Sequence, residues 1–154
     1  MSTETTNIID QIRQFNILAG NTVDTYNVRQ SALYTGLMLE ELAEKLNRLG
    51  FISTAGDLHS LGCDFKCGNY DDLFYQVSRE HLLDDDVDLV VVTLGSMMSM
   101  GVDVQGAFNE VHRANMSKLF PDGTMHKDSN GKIIKPETFV GPNLAPFVYN
   151  GKGR

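Results

Sequence analysis

Cysteine is scarce in this chain: Cys63 and Cys67 are its two thiols. Two cysteines four residues apart make no disulfide framework, so the sequence points to a reducing, cytoplasmic setting. Positive charge is scarce too. Thirteen Lys and Arg stand against twenty Asp and Glu, a formal net charge of -7. That excludes the open basic stripe with which a protein holds a nucleic acid polymer. It leaves open a nucleotide whose phosphates arrive with metal ions. Long apolar runs are missing: none approaches the roughly 20 residues of a membrane span, so no membrane partner is expected. The polar, acidic start Met1-Ser2-Thr3-Glu4-Thr5-Thr6 does not read as a signal peptide. Internal repeats, low-complexity tracts and linkers are absent. What remains, with 42 % hydrophobic residues over 154 positions, is enough for one domain with a core.

One stretch organises the rest. Glu40-Glu41-Leu42-Ala43-Glu44 lies inside Tyr26 to Leu49, which holds good helix formers and no proline. Leu33, Leu37, Leu42, Leu46 and Leu49 recur at the steps of a buried helical stripe. In that helix Glu40 and Glu44 are one turn apart, and Glu41 reaches the same edge. Three carboxylates crowded together repel, and a hard divalent cation turns the repulsion into attraction. Standing alone, EExxE is better read as an ordinary solvated acidic face, and the rest of the chain must overturn that reading.

In chain order, residues 7–19 read as a short amphipathic segment with Ile8, Ile9, Ile12, Phe15 and Leu18 on one side, ended by Gly20-Asn21. Thr22 or Asp24 can cap the long helix, and Gly50 stops it. From 50 to 70, Gly56, Gly62, Gly68 and Asn69 break the chain into short pieces. His59, Cys63 and Cys67 are spaced by four, as three zinc ligands on a helix would be. The glycines and the lack of a fourth ligand favour packed thiols and a surface histidine instead.

From Asp71 to Met100 a further helix is expected, interrupted near His81. Val90-Val91-Val92-Thr93 has strand propensity, but the apolar run continues through Met97, Met98 and Met100, longer than a strand. Asp85 and Asp88 share a face of that helix. As an acidic N-terminal turn, these aspartates would only complement the helix dipole. Asp103 can cap a third long helix, Val104 to Leu119, with Val104, Phe108, Val111 and Leu119 on its buried side. Asn115 and Lys118 share a face of it. The tail from about 120 to 154 is an extended C-terminal arm. Pro121-Asp122-Gly123 and Ser129-Asn130-Gly131 signal turns, the latter heading a hairpin. Pro136, Pro142 and Pro146 exclude helix thereafter. Lys127, Lys132, Lys135, Lys152 and Arg154 make the arm the basic part of the chain.

Three helix-borne signals thus coexist: EExxE at 40–44, Asp-xx-Asp at 85–88 and Asn-xx-Lys at 115–118. Together they resemble the all-α NTP pyrophosphohydrolase superfamily, which includes MazG-like enzymes, phosphoribosyl-ATP pyrophosphohydrolase and the dimeric dUTPases. That family sets EExxE on one helix and ExxD on the next. Glu40, Glu41 and Glu44 match the first part and Asp88 the aspartate of the second. Asp85 stands where the family has glutamate, with Asp84 as its rival. Asn109 to Leu119 and Asp128 to Lys135 look like segments of phage and bacterial MazG-like proteins. The resemblance covers about residues 28–49 and 80–146, with an insertion between.

The resemblance implies an all-α helical bundle of the MazG-like type. It implies hydrolysis of a nucleoside triphosphate to the monophosphate and pyrophosphate, with Mg²⁺ or Mn²⁺ held by Glu40, Glu41, Glu44, Asp85 and Asp88. Metal ions neutralise the phosphates and lower the pKa of a bound water. Glu40, Glu41 and Lys118 are the expected catalytic residues, with Glu40 the candidate base. Asn115 and Lys118 would face the phosphates, Lys132 or Lys135 would join them from the arm, and Phe15 and Asn16 are candidates for the base. dGTP or GTP is the first expectation for substrate and dUTP or dCTP the next. The alternatives are an inactive nucleotide- or metal-binding protein, which the shorter Asp85 would suit, and a structural helical adaptor. The apolar character of Leu89 to Met100 on nearly every face leads us to expect a homodimer or homotetramer that completes the core.

Overall fold

A computed structural model describes residues 7–128 and 131–148. Ser129, Asn130, Lys152 and Arg154, named above in the turn and the basic tail, lie outside the described residues. The chain is all-α. Among the described residues six α-helices follow one another: α1 (Ile8–Leu18), α2 (Val28–Arg48), α3 (Ile52–Cys67), α4 (Arg79–Ser99), α5 (Val104–Met116) and a short α6 (Ala145–Val148). A 3₁₀ turn, Asp71–Tyr75, lies between α3 and α4. No single helix among the described residues is long and apolar enough to cross a membrane.

The backbone groups into two compact units, one of residues 24–85 and one of 7–23 with 86–148. In the first, α2 and α3 form an antiparallel hairpin about Gly50, whose φ of 92° is the left-handed value that closes α2. Asn27, rather than Thr22 or Asp24, caps α2, its side chain accepting the N–H of Gln30 at 3.0 Å. The face α2 buries is also not the leucine stripe. Ala32, Gly36 and Ala43 are buried, while Leu37, Leu42 and Leu49 are exposed. Small residues win because α3 approaches too closely for leucine. A Cβ on Gly36 would lie 2.6 Å from the carbonyl oxygen of Gly62, and one on Gly62 would lie 2.9 Å from that of Gly36.

The same crossing explains why 50–70 is not broken into pieces. Gly62 sits inside a continuous 16-residue helix, where contact with α2 offsets its poor helix propensity. Gly68, at φ 87°, ends α3. There Arg29 donates to the carbonyls of Phe65 and Lys66 and pairs with Asp71. Phe65 holds the 3₁₀ turn through Tyr70 and Phe74, ring centroids 5.0 and 6.4 Å away.

In the second unit α1 packs on α5. Asn7 caps α1 and Asp103 caps α5, each accepting a backbone N–H three residues on. Here too the apolar side read from the sequence is not the buried one. Ile9 and Ile12 are exposed and Gln11 is buried. On α5, Ala114 is buried whereas Val111 is exposed, and the helix stops at Met116 rather than Leu119. The arm lies along α5. Arg113 donates to the Gly141 carbonyl, Glu110 accepts the Asn143 N–H, and Ser117 bonds Val140 both ways. Pro146 does not exclude helix after all. It occupies the first turn of α6, where no N–H is needed.

α4 is helical through Val90–Val92, as its length demanded. It starts at Arg79, so Asp84, Asp85 and Asp86 lie beyond its first turn and are no dipole-complementing cap. None of its residues is buried, and Val90, Val91, Val92 and Met98 are each more than half exposed.

Candidate functional site

Glu40, Glu41 and Glu44 ride on α2, one turn past the close crossing at Gly36. Gly62 stands one turn before Lys66 on α3 in the same way. The crossing therefore sets Lys66 Nζ 2.9 Å from Glu40 Oε2, with both side chains half-buried. Glu44 pairs with Arg48 at 2.8 Å along the helix, and both are exposed. Glu41 is exposed, as are Asp84, Asp85 and Asp88 on α4.

Among the described residues no three His, Cys, Asp or Glu side chains are gathered about one point that could hold a metal ion. This covers the α2 glutamates and the α4 aspartates, and also His59, Cys63 and Cys67. Cys63 Sγ and His59 Nε2 are 3.7 Å apart on α3, and both cysteines are free. The donor chemistry nevertheless fits a hard cation, since Glu40, Glu41 and Glu44 offer only oxygen. Arg48 is exposed, so an arriving ion would displace it from Glu44 at little cost.

The second set of residues is drawn together. α5 ends at Met116, and the chain turns so that Lys118 Nζ donates to Asn115 Oδ1 at 2.8 Å. The same ammonium lies 5.5 Å over the ring of Phe15 on α1. Burial, and after it the charge of Lys135, pushes Lys118 below the usual lysine range. The arm therefore brings Lys135 within electrostatic reach of Lys118. Lys135 also lies 4.9 Å over Phe139, and neither lysine forms an ion pair among the described residues. Two ammonium groups within electrostatic reach of each other favour a neighbouring negative charge.

Lys132 is exposed in the hairpin, where Lys127 and Ile133 bridge and the Lys132 N–H donates to Asp128. Asn16 is engaged elsewhere. Its side chain donates to the Ile12 carbonyl and accepts from Asn21, which in turn accepts from Lys127.

Sequence reasoning missed Lys66, whose place depends on which helix α3 meets. It also missed the clasp of Glu110 and Arg113 on the arm. The Arg113 guanidinium, then the Asn143 N–H, hold the Glu110 carboxyl down to about 2 from its ordinary 4.5. Gln11 was missed as well. Its one visible signal is a polar residue on the apolar side of α1, one turn before Phe15.

A family model described as phosphoribosyl-ATP pyrophosphohydrolase matches residues 18–115, running from the end of α1 through all but the last residue of α5. No curated protein and no solved structure matches the chain.

Proposed function

The chain belongs to the phosphoribosyl-ATP pyrophosphohydrolase family and is thus a nucleotide pyrophosphohydrolase, and on that premise we propose that it cleaves a nucleoside triphosphate to the monophosphate and pyrophosphate. The observation that carries this reading is the Lys118 ammonium, bonded to Asn115 and within electrostatic reach of Lys135. Two lysines and an amide suit a chain of phosphates, whose transferred charge they can stabilise as donors. A phosphate monoester would satisfy one lysine. Pyrophosphate as a leaving group calls for more.

The family works with a divalent metal, and we assign Mg²⁺ or Mn²⁺ to the carboxylates of Glu40, Glu41 and Glu44 on α2 and Asp85 and Asp88 on α4. Bound there, the ion would neutralise phosphate charge and supply a water of lowered pKa. The chain's own groups do the rest. Glu40, steadied by Lys66, orients a water or takes its proton. Lys118 and Lys135 hold the phosphates, and Asn115 keeps Lys118 in place.

We also infer a homodimer or homotetramer. No large side chain is fully buried among the described residues, and α4 presents Val87, Leu89, Val90, Val91 and Val92 to solvent. Apolar surface on that scale marks an interface. dGTP and GTP, then dUTP and dCTP, are the substrates to try first. The test is pyrophosphate release from the common ribo- and deoxyribonucleoside triphosphates with Mg²⁺ or Mn²⁺. Release from at least one supports the proposal, and release from none overturns it.

A further inference from the structure

Gln11 is buried, 7 % exposed, at the contact of α1 with α5. Its Nε2 donates to Asn109 Oδ1 at 2.8 Å. The same oxygen accepts from Gln105 Nε2 at 3.0 Å, so two donors converge on it. In this arrangement Nε2 is the bonded atom of the Gln11 amide. The Gln11 Oε1 is left buried with no hydrogen-bond partner among the described residues. A buried carbonyl without a donor is unfavourable and uncommon, and it calls for a partner that arrives from outside.

Gln11 lines a cavity of about 120 Å³ together with Phe15, Phe108, Val111, His112 and Asn115. Sites that take a whole drug-sized ligand run to roughly 300–1,000 Å³, so this one has room for a flat ring and not for a complete nucleotide. Two phenylalanines and a valine offer the faces a ring needs. The two residues that lead out of it, Phe15 and Asn115, are also the two that touch Lys118. A ligand filling both places would carry a flat ring at one end and negative charge at the other.

We propose that this cavity receives the nucleobase of the substrate, and that Gln11 selects it by accepting a hydrogen bond from an N–H on the base edge. The inference rests on the pyrophosphohydrolase reading and adds to it a specificity-determining residue. Oε1 is an acceptor only. It rewards a base that presents an amino or imino N–H at that position and leaves a lone pair unpaired against one that does not. Discrimination of that kind is steep, because a mismatched analogue strands a buried polar group.

The test uses the full-length protein and the triphosphate that it hydrolyses best among the common eight. A matched analogue is methylated on the edge nitrogen that donates. Wild type should show kcat/KM at least tenfold lower for the analogue, mostly through KM. Gln11→Met keeps the volume and removes the acceptor. It should raise KM for the best substrate about tenfold, with a smaller change in kcat, and bring the analogue level with it. Each N–H of the best base is methylated in turn. If wild type hydrolyses a triphosphate but tolerates every one of these analogues, the proposal falls while the hydrolase reading stands. If Gln11→Met folds and keeps the wild-type preference, the proposal falls likewise, and Gln11 holds only a water or nothing. If wild type hydrolyses none of the eight, both fall together.

Discussion

Lys66 Nζ lies 2.9 Å from Glu40 Oε2, and the contact exists because Gly36 and Gly62 let two helices touch one turn earlier. The acidic motif is thus read by its own fold before any ligand arrives. Gly36→Ala would drive a methyl to 2.6 Å from a backbone oxygen and 2.8 Å from Lys66 Cγ. Overpacking of this kind costs about 1–3 kcal/mol, so Tm should fall by several degrees and activity with it. Gly56→Ala, on α3 and with nothing within 4 Å, should hold or raise Tm. Equal effects of the two in a thermal melt would contradict the close crossing.

The carboxylates on α2 and α4 divide into ligands and bystanders by substitution. Removing a residue that merely supports a metal ligand costs 10–100-fold, so Glu41→Gln, Glu44→Gln and Asp88→Asn should each lower kcat/KM by about 100-fold or more with the fold retained. Near-wild-type turnover in Glu41→Gln and Asp88→Asn together would remove them from the site. Asp85→Ala set beside Asp84→Ala shows which aspartate replaces the family's glutamate.

Lys118 and Lys135 should behave as a phosphate clamp. A hydrogen bond to a charged group contributes about 1.5–3 kcal/mol, so Lys118→Gln or Lys135→Gln should raise KM about tenfold or more. Truncation after Phe120 removes Lys135 and should do the same. An unchanged kcat/KM in a folded, truncated protein would reduce the arm to a cover over α5.

Glu110 gives the arm an acid limit. Its carboxyl titrates at about 2 when clasped by Arg113 and Asn143, against an ordinary 4.5. A folded-state pKa below the unfolded one means the clasp contributes fully above about 4.5 and is lost as pH falls toward 2. The Asn143 amide proton followed by NMR should shift with a midpoint near the lower value. In Glu110→Gln that transition should be missing at every pH. A midpoint in the ordinary carboxylate range would show that the arm is not held there.

Assembly can be checked on α4. Light scattering at micromolar concentration should give a dimer or tetramer, and Val91→Asp should shift it toward monomer. A wild-type monomer would refute the interface.

Local chemistry settled a good part of this protein. The caps Asn7 and Asp103, the stop at Gly50 and the helix through Val90–Val92 follow from short-range rules, which is why EExxE and Asn-xx-Lys are found on or beside the helices that spacing placed them on. The elements that failed are those decided by a neighbour. The leucine stripe of α2 lost to Ala32, Gly36 and Ala43, because the distance of α3 and not periodicity chose the buried face. Gly62 reads as a helix breaker until Gly36 is opposite it. Lys66 gains a role from that crossing, and Gln11 from its bond to Asn109, 98 residues further along the chain. Helix formation is a matter of the next four residues. Which face is buried, and which charge meets which, depends on residues brought close only when the helices pack.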